Sequence, residues 1–200
     1  VGLNFSHEIA KYFFDVDKLS RNSAGRYLKY LKTVCTDAQN NGINAHPQLQ
    51  QIKGFSEKGQ KIYLTFDELE KIENTSFDRE ALRNAKDWLI IGCYIGQRVS
   101  DLLVLTSDNI KVRNGLELLE LTQKKTGKRV ALPLHSKVKE ILDRNNGQFP
   151  DKISSQKFNK HIKDICKDAE LNTPIMGGKM TKDEKTNMTR KKIDIYPKHE

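Results

Sequence analysis

The sequence predicts an α+β protein that is mainly helical and carries one small antiparallel sheet. Three observations predict it. Apolar residues recur at helical spacing over residues 21–40, 77–94 and 155–169. Two strand-like runs, 116–121 and 129–134, flank the polar stretch Lys124-Lys125-Thr126-Gly127-Lys128, the pattern of a hairpin with a basic tip. Gly and Pro occur at ordinary frequency, 12 and 5 among 200 residues, so the chain folds around a core rather than staying disordered.

The elements follow in order. Ser6 caps a short helix over 6–14. The helix over 21–40 has Tyr27, Leu28, Leu31, Val34, Cys35 and Ala38 recurring at helical spacing, and Asn40-Asn41-Gly42 ends it. Residues 44–60 lack a period and contain Pro47, Gly54 and Gly59, so they read as a linker that closes a first helical domain near residue 60. A second domain over 61–200 opens at Leu64-Thr65-Phe66-Asp67-Glu68-Leu69. Thr65 and Glu68 have capping-box spacing, and Leu64 with Leu69 supplies the hydrophobic staple. Ser76 caps the next helix, 77–94, with Leu82, Ala85, Trp88, Leu89 and Cys93 on its buried side. Gly96 breaks it, and a short helix runs from Arg98 to Leu103. After the hairpin come helices over 136–142 and 155–169. Residues 172–189 are polar, contain Gly177-Gly178 and read as a mobile loop, followed by an extended piece over 192–196.

Composition narrows the function classes. The net charge is +9, which favours a polyanionic partner. The longest apolar run, near 88–93, is far shorter than the roughly 18 residues that span a bilayer, so no membrane partner is expected. Three cysteines, Cys35, Cys93 and Cys166, lie far apart with no CxxC pair, which fits free thiols in a reducing, cytoplasmic compartment. The five histidines are scattered, with no metal-ligand spacing, and no metal or other cofactor is expected. His46 and His135 have no evident partner in sequence.

Three features bear on chemistry. Arg98 follows a helix-ending glycine, and Asp101 stands three residues on, so both lie on one side of a new helix. A guanidinium offers phosphate two parallel charged hydrogen bonds. The same spacing also suits a plain surface ion pair worth about 0.3–0.5 kcal/mol, and spacing alone leaves both readings open. From Thr122 to Lys139 there are six basic residues and no acidic one: Lys124, Lys125, Lys128, Arg129, Lys137 and Lys139. A turn of that kind suits a DNA groove, or simply keeps exposed strand ends apart. Arg26, Lys29 and Lys32, with Lys11 and Lys18 before them, can follow a DNA backbone or face solvent. Among hydroxyl nucleophiles, Tyr94 sits in a helix–glycine corner that favours packing, and Tyr196 has no acid–base group beside it, so neither is assigned.

Together these residues resemble the tyrosine recombinase, or phage integrase, family, and within it the integrases of Bacteroides-type mobile elements. Tyr63-Leu64-Thr65-Phe66-Asp67-Glu68-Leu69 is similar to the family's entry into its catalytic domain. The run Tyr94-Ile95-Gly96-Gln97-Arg98-Val99-Ser100-Asp101-Leu102 resembles the first catalytic arginine box, with Ile95 where threonine is usual. The run Thr122–Lys128 followed by Val130-Ala131-Leu132-Pro133-Leu134 resembles the hairpin that bears the catalytic lysine. That lysine falls at Lys125, with Lys124 as the neighbour next in line. The stretch 23–38 resembles the back half of the family's helical, SAM-like core-binding domain.

The resemblance implies a fold and a mechanism. The fold is part of the core-binding domain over 1–60, then the first part of the catalytic domain over 61–200. The family's His-x-x-Arg box and tyrosine nucleophile have no match after Lys125, and Lys198-His199-Glu200 is similar to the stretch before that box, so the chain reads as truncated. In the full-length protein a tyrosine hydroxyl attacks a DNA phosphodiester, forms a 3′-phosphotyrosyl link and frees a 5′-hydroxyl, with neither ATP nor a metal. Arg98 binds the non-bridging oxygens, Asp101 holds Arg98, and Lys125 protonates the leaving oxygen. Lys124, Lys128, Arg129, Arg26, Lys29 and Lys32 contact double-stranded DNA. The full-length protein acts as a homotetramer on two duplexes, whereas this fragment binds DNA without cutting it. The alternative is a non-catalytic DNA-binding or excision-accessory module that keeps the integrase fold.

Overall fold

A computed structural model describes residues 1–58, 61–182 and 189–198, and across 179–182 and 189–196 it describes the backbone alone. The chain divides into two compact units, Val1–Gln60 and Lys61–Glu200.

In the first unit, helix α1 (Leu3–Asp15) and helix α2 (Arg21–Asn40) pack together. Ser20 caps α2 by accepting a hydrogen bond from the Ser23 N–H. The buried stripe of α2 is Ala24, Gly25 and Leu28. Of the other residues in the expected apolar set, Leu31, Cys35 and Ala38 are only half-buried, and Tyr27 and Val34 are exposed. The expected linker is not loose. Pro47–Gln51 forms a 3-10 turn, and Leu49 and Ile52 enter the core. Phe55 stacks on Phe14 at 5.7 Å. A Cβ on Gly25 would land inside the Phe55 carbonyl, so only glycine lets this segment lie against α2. Asn22 seals the contact twice: its Nδ2 donates to the Glu57 carbonyl and its Oδ1 accepts from the Glu57 N–H.

The second unit starts with helix α3 (Phe66–Asn74), closed by the full Thr65–Glu68 capping box. Helix α4 (Glu80–Ile95) is the centre of the unit. It buries Leu82, Ala85, Trp88, Leu89, Ile90, Ile91 and Ile95, so more than one face is covered. The Trp88 indole is fully buried, stacks on Phe149 and donates to the Asp151 carbonyl at 2.9 Å. Helix α4 begins later than its apolar pattern suggests. Arg79 is its N-cap, and Ser76 does not cap it. Phe77 instead turns into the core ahead of the helix. Cys93, expected inside, is exposed, whereas Cys166 is buried and Cys35 half-buried.

Gly96 ends α4 in the left-handed region at φ 63°, and helix α5 (Val99–Leu102) starts at once with Arg98 as its N-cap. Three antiparallel strands follow: β1 (Ile110–Arg113), β2 (Leu116–Thr122) and β3 (Arg129–Pro133), in spatial order β1-β2-β3. Leu119 on β2, opposite Ile110 and Leu132, is fully buried and seats the sheet on the helical core. Helix α6 (Ser136–Arg144) and helix α7 (Ser155–Asp168) pack on α4 through Val138, Ile141, Phe158 and Ile165. Each such side chain contributes about 1.5–3 kcal/mol when fully buried. The stretch expected to be a mobile loop instead enters a hairpin, β4 (Pro174–Lys182) paired with β5 (Thr189–Pro197). Residues 183–188 of that stretch, and His199 and Glu200, lie outside the described residues. Among the described residues no helix is long and apolar enough to cross a membrane.

Candidate functional site

The sharp reversal at Gly96 brings three short pieces together: the corner Gln97–Arg98, helix α5 and the tip of the β2–β3 hairpin. Asp101, on α5, is the hub. Its side chain is 1% exposed, against 46% for Arg98. Its Oδ1 accepts the backbone N–H of Lys124 at 3.1 Å. Its Oδ2 is buried without a hydrogen-bond partner and lies 4.0 Å from Nη1 of Arg98. A buried carboxylate oxygen in that state is costly and invites a donor, and the nearby guanidinium is the evident one.

A second tie lies alongside. The Gln123 amide donates to Gln97 Oε1 at 3.0 Å, and the Gln97 amide donates to the Ile95 carbonyl at 3.2 Å. At the far end Gln123 Oε1 accepts the Thr126 hydroxyl at 2.9 Å. The tip itself is closed by the Gln123 N–H to the Lys128 carbonyl and by the Gly127 N–H to the Gln123 carbonyl. Gly127 sits at φ 65°. The basic tip is therefore held against the arginine corner from Gln123 and from Lys124, the residues just before Lys125.

Lys124, Lys125, Lys128 and Arg129 are all exposed, so their cations face solvent on a fixed backbone. The structure thus brings Arg98, Asp101 and the Lys124–Lys125 backbone together. Arg26, Lys29 and Lys32 belong to the first unit, and they differ among themselves. Arg26 is exposed. The stem of Lys29 lies against Gly54. Lys32 is engaged structurally: its ammonium donates to the carbonyls of Gln50 and Ile52 at 2.7 and 3.0 Å. It pins the 3-10 segment to α2 and is half-buried, so it is not a free cation for a backbone phosphate.

His46 and His135 do have partners. His46 Nδ1 accepts the Gln48 N–H and caps the 3-10 turn, and His135 Nδ1 accepts the Lys137 N–H and caps α6. The His135 ring also stacks on Tyr94 at 4.2 Å, which gives Tyr94 a packing role. The side chain of Tyr196 lies outside the described residues. Gln97, Gln123 and Thr126 were not singled out by sequence. Their only local signal is amide and hydroxyl groups beside the arginine and lysine motifs.

Neither a protein-family model nor a curated protein sequence matches the chain. Solved structures do. A lambda integrase tetramer bound to a Holliday junction is 21% identical with a TM-score of 0.62, the match covering 86% of this chain and 52% of that one. A lambda integrase dimer bound to a COC′ core site gives 21%, 0.63, 86% and 64% for the same four quantities. The XerH site-specific recombinase bound to a palindromic difH substrate, a post-cleavage complex, gives 18%, 0.59, 84% and 56%. The chain therefore spans between about half and just under two thirds of these proteins' lengths. At such identities the likeness is one of architecture: this chain has the mainly helical fold, with its small three-stranded antiparallel sheet, of the tyrosine recombinase catalytic domain.

Proposed function

We propose that this chain supplies the phosphate-binding arginine and the proton-donating lysine of a site-specific DNA recombinase of the tyrosine type, as found in integrases of mobile elements such as the Bacteroides type. One observation carries the reading. Asp101 faces Arg98 with one oxygen and holds the Lys124 N–H with the other, so the arginine corner and the lysine hairpin share one anchor. A common fold with lambda integrase and XerH supports it.

In this reading the residues 1–60 are part of a core-binding domain and 61–200 part of the catalytic domain. Arg98 holds the non-bridging oxygens of the scissile phosphate as their charge grows. Losing one such donor costs about 10²–10³ in rate. Asp101 is a positioning residue that orients Arg98. Lys125 gives its proton to the 5′ oxygen as that oxygen leaves phosphorus. The new bond to phosphorus comes from a tyrosine hydroxyl that is not among the residues assigned here. The phosphotyrosyl ester conserves the bond energy, and the step needs no nucleotide hydrolysis. Lys124, Lys128, Arg129, Arg26 and Lys29 contact the duplex backbone. The whole protein works as a homotetramer on two duplexes, in the cytoplasm.

Fluorescence anisotropy with a labelled duplex oligonucleotide tests the DNA-binding core of this reading. The logarithm of the binding constant should fall linearly with log salt concentration, by about 0.9 for each phosphate neutralised. Arg98→Ala and Lys125→Ala should each remove about one phosphate from that slope. An affinity indifferent to salt refutes the reading.

A further inference from the structure

The solvent side of the three-stranded sheet carries a charge arrangement that the hairpin tip does not account for. Side chains alternate between the two faces of a strand, and residues paired across strands share a face. Leu119 faces the core, so Leu116, Leu118, Glu120 and Thr122 face out. Their cross-strand partners face out too: Arg113 opposite Leu116 and Arg129 opposite Thr122, with Lys111 opposite Leu118 between them. The outer face thus holds three cations and one carboxylate, around a hollow of about 530 Å³.

The carboxylate is placed so as to gather the cations. The backbone of Arg113 sits opposite Leu116, at the end of the sheet away from the tip. Its guanidinium nonetheless reaches back to Glu120, four residues nearer the tip, and makes two hydrogen bonds of 2.5 and 3.0 Å. Arg113 holds the Glu120 carboxyl below the usual carboxylate range, first through that hydrogen bond; slight desolvation opposes it, and the charges of Arg113, Lys111 and Arg129 add to it. Glu120 neutralises one cation and leaves the face two charges positive. Arg113 remains 64% exposed, with its remaining donors open to solvent.

We propose that this outer face is a second DNA-contacting surface, on which Lys111, Arg113 and Arg129 follow the phosphodiester backbone of a duplex beyond the hairpin tip. The proposal rests on the DNA-binding reading given above and extends it to Lys111 and Arg113. Geometry favours a linear polyanion. In the direction of β2 the cations descend from the tip, to Arg129 at the level of Thr122, to the Arg113 guanidinium at the level of Glu120, to Lys111 at the level of Leu118. From Thr122 to Leu118 is about 13 Å at 3.3 Å per residue. One DNA strand presents about four phosphates over that length of helix axis. β1 is an edge strand, and charge there also discourages pairing with other sheets. That role alone would not require Glu120 to draw the guanidinium inward over the face.

The test measures the salt dependence of duplex binding by the full 200-residue chain. The variant Lys111→Gln/Arg113→Gln is compared with Lys157→Gln/Lys160→Gln, which removes the same charge from α7. The sheet variant should lower the slope of log K against log salt by about 1.8, two phosphates' worth, while the α7 variant leaves it near the wild-type value. Arg129→Gln, a second variant, should lower it by about 0.9. Thermal melting verifies that each variant folds. An unchanged slope in the sheet variants, or an equal loss in the α7 variant, overturns the proposal. So does poly-glutamate binding that weakens in step with the sheet variants, because it would assign the face to acidic peptide. If Lys124→Gln/Lys125→Gln lowers the slope and the sheet variants do not, only the sheet face falls. If no variant changes it, the DNA-binding reading falls as well.

Discussion

Asp101 and Lys124 stand 23 positions apart in sequence, yet the Asp101 carboxylate accepts the Lys124 backbone N–H at 3.1 Å. A side chain bonded to a backbone fixes the course of the chain whatever residue occupies the position. The tip is thereby held beside Arg98, while the side chains of Lys124 and Lys125 stay free for a ligand.

Removing that carboxylate should loosen the tip before it unfolds the unit. Asp101→Ala leaves the Lys124 N–H unpaired and the Arg98 guanidinium without its counter-charge. The expected cost is about 1–3 kcal/mol in urea unfolding. Amide exchange across residues 123–128 should accelerate by more than that of α4. Asp101→Asn keeps an acceptor and should recover part of the loss. Equal protection of the tip in wild type and Asp101→Ala would refute the anchoring role.

The Gln97–Gln123 bond makes a separate contribution. Alanine at either position strands the other amide, so the two losses should not add. A double-mutant cycle should give a coupling of about 0.5–1.5 kcal/mol. A coupling near zero would mean that the two amides are satisfied by water and hold nothing.

In the first unit the close contact at Gly25 is the most exacting. Gly25→Ala would push Phe55 and its neighbours off α2 and break the Asn22–Glu57 pair. Overpacking of this kind costs about 1–3 kcal/mol. Limited proteolysis should then cut first within residues 52–58. Ala24 faces the same core, and a mild change there, Ala24→Ser, should not produce that cut.

How legible these features were depends on the range of the interactions that form them. Helix α2 spans the residues its apolar period marks, and the Thr65–Glu68 box is read directly, because both depend on neighbours three or four residues away. Strand β1 has a local signal that the longer apolar periods do not capture: Ile110-Lys111-Val112-Arg113 alternates, and Asn114-Gly115 after it, at φ 51° and 77°, forms a tight hairpin turn into β2. The β4–β5 ladder is hidden, because backbone pairing carries it and Gly177 and Gly178 within it read as a loop. At the site, Arg98 and Asp101 stood out by type and spacing, whereas Lys125 was one of six basic residues until the family resemblance singled it out. The ties that join them cross 23 and 26 positions, a separation no local pattern encodes. Lys32 shows the converse. Its spacing matched a solvent-facing basic stripe, and only the fold of 47–52 brings carbonyls to its ammonium.

A pH dependence follows from the other end of the second unit. Lys198 donates to both oxygens of Glu68, at 2.7 and 2.6 Å, and to the Tyr63 carbonyl. The side chains are 9% and 14% exposed, so this pair is far better shielded than a surface ion pair. It ties the residues after β5 to the first turn of α3. Burial by itself would raise the Glu68 pKa. The Lys198 hydrogen bond, the Thr65 backbone N–H and the Lys198 charge outweigh it and hold the carboxyl below its ordinary 4.5. A carboxyl whose folded-state pKa is lowered adds stability above the unfolded value, and that stability disappears as pH falls through the folded value. Wild type should therefore keep the full contribution at neutral pH and lose it on acidification below pH 4.5. Glu68→Gln strands the Lys198 ammonium, and the expected cost near neutrality is up to about 3 kcal/mol. The gap between wild type and Glu68→Gln should shrink once the wild-type carboxyl protonates. Melting temperatures measured across that range check this, and a gap of constant size at every pH would show that the Glu68 charge does not hold the two segments together.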